Sequence, residues 1–414
     1  MAHPRTHGRL QLILTAYLAV FFCAGAAQAG DSPAQGQLFA EITGIVETHF
    51  FDPHRIRQAF PAIKEQYRPQ ILGASPEAIP RLVNAMLGKL NASHTCYLTP
   101  DDPEYYYLAA LFSRIPEIGA LFPEKGVLYP TVGVFTQRIR GRVHVASLLA
   151  GGAAEKAGIL KGDEILSVNG EPFTPVASLR PLVGTDAVFE VRRKKATAPF
   201  SVTMQPMLMN PKEEMLEAQK ASVRVMEKGG RRIGYIHIYS YAGEEYHKAL
   251  RDALAWGPLK DADALIIDLR YGLGGAWPSY LNIFNRNIPV LEVIDREGNR
   301  NRVDTQWRKP AVYLVNGYTR SGKELLAFGA KKHGAPTVIG ERTAGQSLAG
   351  RLFPLSNKAL LFLAVQGCRI DGVDLEGTGV APDIEVPFEV PYCGGQDAQL
   401  HKATEYLLNQ LKVL

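Results

Sequence analysis

The 414-residue sequence predicts an α/β protein with a helical N-terminal domain, a small β-rich unit and a parallel-sheet core. Three observations carry that assignment. Between Gln35 and about Tyr107 apolar residues recur at helical spacing, as in Phe39, Ile42, Ile45 and Val46. Between Pro130 and about Pro206 short apolar runs are punctuated by glycines, which reads as strands around one helix. Beyond residue 230, RRIGYIHIYSY, EEYHKALRDALAWGPL and ALIIDLR read strand, helix, strand, an order that implies a parallel sheet.

Composition bounds the function. With 46% hydrophobic and 21% charged residues, the chain is ordinary globular material, long enough for two or three domains. The formal charge of +5 includes Arg5 and Arg9 of an acid-free leader; 44 minus 41 leaves +3, so charge gives no reason to expect nucleic acid as a partner. Residues 1–29 combine a basic start (Arg5, His7, Arg9), an apolar run from Leu10 through Phe22 and the ending Ala27-Gln28-Ala29, the parts of a secretory signal peptide. Cleavage after Ala29 would leave a periplasmic or secreted protein without a membrane anchor, since no later stretch reaches roughly 18 uninterrupted apolar residues. Cys23 leaves with the leader, and Cys96, Cys368 and Cys393 remain. An odd number leaves at least one free or paired between chains; in an oxidising compartment Cys368 and Cys393 are the plausible pair, and spacing alone leaves the bridge open.

Taken in order, the expected units are a helical domain over 30–122, the β-rich domain over 126–208, a linker over 209–232, and the α/β core over 233–414. Pro53 ends the first helix; a second carries Phe60, Ile63 and Tyr67, and a third Leu82, Val83, Met86, Leu87 and Leu90. Helical periodicity then fails over Asn91–Pro100, where His94 stands between Ser93 and Thr95, two groups able to orient an imidazole. The other histidines lack such company. His237 lies in an alternating strand, and His49 and His54 have no metal-ligand spacing, so no metal or other cofactor is expected. Cys96 offers a thiol beside His94, but two residues apart on an extended segment they lack nucleophile–base geometry.

In the core, AVYLV reads as a buried strand, Gly317 punctuates it, and a helix begins at Ser321. A serine there is ordinarily an N-cap. The same free N–H groups stabilise an oxyanion, so Ser321 is also a candidate nucleophile, provided the fold brings it a base and a second donor. The loop Tyr271–Gly275 has neither GxGxxG nor GK[ST], and Pro278 interrupts any helix start, which weakens a phosphate reading. Its glycines instead let backbone N–H groups approach a reacting carbonyl. Glu376, in DGVDLEGTGVAPDIEV, is the candidate acid, and LLNQLKVL ends the chain as an amphipathic helix.

AAEKAGILKGDEILSVNG resembles the PDZ signature, and Val132, Gly133, Val134 and Phe135 then correspond to its carboxylate-binding loop, whose strand edge takes a peptide by β-augmentation. The pieces DLRYGLGG, SGKE, GERTAG and GVAPDIEV, in this order after a PDZ domain, resemble the carboxyl-terminal processing (tail-specific) serine peptidases. That resemblance implies an α/β core of ClpP/crotonase type and an endopeptidase acting on polypeptides with accessible C-termini. Many members use a Ser–Lys dyad, but the lysine position, in TAGQS, is Gln346, and an amide cannot deprotonate a hydroxyl. The chain is more similar to the tricorn-like branch. The likeness implies Ser321 as nucleophile, His94 as base, Ser93 held by Glu376 to fix the imidazole, and Gly275 and Gly322 N–H groups as oxyanion hole. Gln346 leaves open an inactive homologue that serves as a peptide-binding adaptor or apolar-ligand protein, and Cys96 leaves open a thiol enzyme.

Overall fold

A computed structural model describes residues 33–413; the expected signal peptide lies outside them. The core is a six-stranded sheet in the order 224–228, 231–237, 264–268, 311–315, 337–340, 384–385, antiparallel at the first pair and parallel thereafter. Ala264–Asp268 and Ala311–Val315 are buried at every position because both faces of the sheet are covered. The C-terminal helix Ala398–Val413 covers one face through Ala403, Leu407 and Leu411. The helices Glu244–Ala255 and Gly322–His333 cover the other, through Leu250 and Leu326 among others.

The N-terminal helices Pro33–His49, Pro53–Leu72 and Ile79–Gly88 do not stand apart from this core. Ile42, Phe60 and Leu87 share a cluster with Leu361 and Leu363. The short strand Cys96–Leu98 pairs antiparallel with Leu360–Gln366, Cys96 opposite Phe362, and Ala349–Pro354 completes a three-stranded sheet. That pairing carries the His94 loop across to the core.

The PDZ domain has its own five-strand path, from Val134–Ile139 at one edge to Phe200–Met204 at the other, around Val145, Ile165 and Phe189. It joins the body through the ladder Tyr129–Thr131/Met207–Met209. Segment 209–232, expected as a linker, is instead built into the body. Asn210 caps a helix over Pro211–Ser222 whose Met215, Ala218 and Gln219 are buried, and Arg224–Lys228 is an edge strand of the core sheet. Its charges mask this stripe of small and apolar residues. The question of a Cys368–Cys393 bridge, open from the sequence, has its answer here: both thiols are free, and Cys393 Sγ donates to Lys161 O at 3.0 Å, held against a PDZ turn. No helix among the described residues is long and apolar enough to cross a membrane.

Candidate active site

Ser321 stands at the N-cap of Gly322–His333 with φ 56° and ψ −132°, a strained conformation for a residue with a side chain. Its surroundings hold it there. Ser321 N donates to Gln346 O at 2.9 Å and to Glu324 Oε2 at 3.2 Å. The Glu324 carboxylate also accepts from Thr343 Oγ1, Gly345 N and Gln346 N at 2.6, 2.7 and 2.8 Å. Burial pushes its pKa up, and these donors oppose the shift. The Gly-rich loop lies directly against the serine: a Cβ on Gly274 would stand 2.5 Å from Ser321 Cβ, and one on Gly322 would stand 2.3 Å from Ala276 N. Only glycine permits that approach. Among the described residues neither Gly275 N–H nor Gly322 N–H donates to another protein group.

The second half comes from the loop before Cys96–Leu98. Glu376 Oε1 accepts from Ser93 N at 2.7 Å, and Oε2 accepts from Ser93 Oγ at 2.8 Å and from Ser347 N at 3.0 Å. Ser93 Oγ is 3.0 Å from His94 Nδ1. Because the Ser93 hydroxyl proton is directed to Glu376, Nδ1 must be the donor in that contact, which leaves Nε2 with a free lone pair. His94 has φ 53°, and its ring packs 5.1 Å from that of Phe362. Burial, with the nearby Arg320 cation, lowers its pKa to about 4, so the imidazole is neutral at pH 7. Arg320 is itself fixed by Glu104 at 2.8 and 3.1 Å and by Gly272 O at 3.1 Å.

Gln346 and Ser347, adjacent in the chain, join the two halves: one carbonyl holds Ser321, and the next N–H holds Glu376. No hydrogen bond joins His94 to Ser321 among the described residues; such contacts commonly tighten only in the substrate complex. The Cys96 thiol is pushed up to about 12 by burial and by Glu104, so it is protonated and a poor nucleophile.

In the PDZ domain, Val132 and Val134 belong to its apolar cluster, and Phe135 turns to the body, its ring 5.8 Å from Tyr107 and 6.2 Å from Tyr239. Gly133 N–H, expected to face a peptide carboxylate, donates to Thr131 Oγ1 at 2.9 Å, and Thr131 is in turn held by Glu214 at 3.1 Å. The open feature is the edge strand Val134–Ile139, which pairs on one side only. Gln137 and Ile139 of that strand line a cavity of ≈ 990 Å³ together with Asn316, Gly317 and Tyr318, the turn that precedes Ser321. Sequence reasoning singled out Ser321, Ser93, His94 and Glu376, and the structure brings the last three into one hydrogen-bonded chain. That reasoning missed the parts played by Arg320, Lys323 and the Glu324 carboxylate; two of these stand within the SGKE motif and signalled only a helix start.

Residues 232–386 match Peptidase family S41, and residues 132–183 match the PDZ domain. A carboxyl-terminal-processing protease of Synechocystis sp. is 26% identical over 265 residues, 60% of this chain and 60% of that protein. The carboxy-terminal processing protease CtpB of Bacillus subtilis is 26% identical over 271 residues, 59% of this chain and 53% of that protein. The matched chain thus spans between about half and three-fifths of the length of these relatives. In fold, the chain is similar to the tricorn protease, with TM-score 0.54 and 18% identity over 92% of this chain and 37% of that one. Residues 232–386, the core that carries Ser321, are thus identified as a peptidase family S41 domain, with a PDZ domain ahead of it.

Proposed function

We propose that the protein is an exported serine endopeptidase that cleaves polypeptides with accessible C-termini, using Ser321 as nucleophile and His94 as general base. The observation that carries this reading is the Glu376–Ser93–His94 hydrogen-bonded chain, which ends in an unprotonated Nε2 and is tied through residues 346–347 to a strained serine. His94 Nε2 takes the hydroxyl proton as Ser321 Oγ bonds to the scissile carbonyl carbon. The resulting oxyanion lies with Gly275 and Gly322 N–H groups, which have no competing partner. Collapse breaks the C–N bond, and His94 returns the proton to the leaving amine. Water, activated by the same imidazole, then hydrolyses the acyl-enzyme. Gln346 contributes its main chain and needs no basic side chain.

Polypeptide substrates are supported by the cavity that runs from the PDZ edge strand to the turn before Ser321. Export rests on the leader read from residues 1–29. The domain limits proposed for the mature chain are 30–122, 126–208 and 209–414, the last including the segment 209–232 that packs into the body. The test is fluorophosphonate labelling of the mature protein, mapped by mass spectrometry. Label on Ser321 that vanishes in His94→Ala and survives in Gln346→Ala is expected. A folded wild type without label, alone and with a C-terminal peptide bound, would overturn the reading in favour of a peptide-binding adaptor.

A further inference from the structure

Lys323 is the buried ionisable group that the mechanism above does not use. It follows the nucleophile by two residues, its side chain is fully enclosed, and no carboxylate touches it. Enclosing an ammonium without a counter-ion is costly. What it touches is backbone: Nζ donates to Tyr271 O at 2.7 Å and to Tyr239 O at 3.3 Å. Tyr271 opens the Gly-rich loop with φ 59°, and among the described residues Lys323 is the one partner of its carbonyl. Tyr239 O also receives Leu273 N at 2.8 Å, and Tyr241 N donates to Gly274 O at 2.9 Å, so the loop is laid along residues 239–241. Lysine therefore pins the helix of Ser321 to the loop of Gly275 at the point where both meet the core.

We propose that Lys323 is a positioning residue for the oxyanion hole: its ammonium, held between the Tyr239 and Tyr271 carbonyl oxygens, fixes the loop carrying Gly275 at the distance from Ser321 that the developing oxyanion needs. This inference rests on the serine peptidase reading. Burial lowers the lysine's pKa to about 7; Asp268, on the strand Ala264–Asp268, favours the charged form, and Arg320 on the nucleophile's own segment opposes it. His237, on Arg231–His237, also lies in its field, and burial holds that imidazole near 4, hence neutral at pH 7. The ammonium is present below about pH 7 and lost above it. Charge-assisted bonds are roughly twice as strong as neutral ones, so the clamp loosens on the alkaline side. The reaction then has an alkaline limb that the Ser93–His94–Glu376 chain alone does not supply, and the limb falls on the chemical step, because Lys323 does not itself line the cavity and meets its wall only at the main-chain carbonyl of Tyr271.

The test is the limiting rate and the half-saturation constant for fluorophosphonate modification of Ser321, followed from pH 5 to pH 9 in the full mature chain. In the wild type the limiting rate should fall about 10- to 100-fold, the scale of a misplaced reacting group, through a midpoint near 7, while half-saturation stays constant. Folded Lys323→Met should already be slow at pH 6 and show no alkaline limb. A wild type whose rate is flat from pH 6 to pH 9 overturns the inference even if Lys323→Met does not fold, as does a folded Lys323→Met that keeps the limb. A wild type that is never labelled at any pH refutes the peptidase reading, and this inference with it.

Discussion

Glu376 offers the sharpest perturbation, because two replacements at one position should fail to very different degrees. In Glu376→Gln, the amide oxygen can face Ser93 Oγ and Ser347 N, keeping both bonds as neutral ones, while the amide NH₂ is set against Ser93 N–H. A bond to a charged group contributes about 1.5–3 kcal/mol and a neutral one about 0.5–1.5, so each retained bond weakens by about 1 kcal/mol. The imidazolium formed in the transition state also loses a nearby negative charge. Together these lower turnover by about 10- to 100-fold. In Glu376→Ala the Ser93 hydroxyl has lost its acceptor and turns its proton to His94 Nδ1. The imidazole is then driven to carry its own proton on Nε2, where the base should be. A wrong tautomer of this kind costs about 10⁴-fold in a serine peptidase triad. The assay is cleavage of an unstructured peptide together with the rate of Ser321 labelling, with thermal melting as a check on folding. Equal losses in the two variants, or two folded variants with wild-type rates, would refute the hydrogen-bond order assigned to Glu376, Ser93 and His94.

Three further outcomes are expected. The proposed base works as neutral imidazole, and its pKa is lowered to about 4, so labelling should persist at pH 5 and fall only as pH drops through about 4; Arg320→Met, which removes the cation that helps depress it, should move that acid limb toward neutrality. An acid limb already at the ordinary histidine value in the wild type would contradict the enclosed site. Glu324→Ala strips the acceptor from Thr343 Oγ1, Gly345 N and Gln346 N at about 1–3 kcal/mol for each buried group left unsatisfied, so urea denaturation should show a loss of several kcal/mol, whereas Gln346→Ala should leave stability and labelling unchanged. Asp397 bridges Lys161 of the PDZ domain at 2.7 Å and Arg270 of the core at 2.8 Å; in Asp397→Ala Arg270 keeps Asp268, but Lys161 loses its carboxylate partner and the bridge between the two units is gone. The expected cost is about 3–5 kcal/mol in denaturant unfolding; a loss within experimental error would mean that water replaces the bridge.

Much of this organisation was legible in local pattern. AVYLV followed by a serine and a helical run is a short-range signal, and Ser321 is indeed the N-cap of Gly322–His333. The PDZ turns read equally well, since Gly158, Gly162 and Gly170 take positive φ where the signature has its glycines. What pattern could not supply was pairing over long separations. Nothing near Cys96 announces that it lies opposite Phe362, yet that register puts the His94 ring against Phe362. A helical part was legible in the segment that became Pro211–Ser222, but its burial was hidden by its charged residues, because the buried stripe includes small side chains and Gln219, which weigh little on a hydropathy count. The side toward which Phe135 points is likewise set by a partner, Tyr239, that lies in another domain.

Gln346, the position whose side chain argues against catalysis, makes physical sense once its main chain is considered separately. In a Ser–Lys design the segment after Thr343 must deliver an amine to the serine, so side chain and backbone share one task. Here the base is proposed to enter from the N-terminal domain, on the loop before the strand that pairs with Leu360–Gln366, and the segment keeps only the backbone task. It performs that task twice within two residues, holding Ser321 N with the Gln346 carbonyl and Glu376 with the Ser347 N–H. The segment is itself fixed from both sides, by Ala344 N on Thr319 O at 3.0 Å and by Gly345, where a Cβ would stand 3.0 Å from Gly379 N. A shift of residues 343–347 would therefore disturb the nucleophile directly and His94 through Glu376 and Ser93, so the rigidity of this backbone, more than the identity of residue 346, governs whether the proposed base can reach the serine.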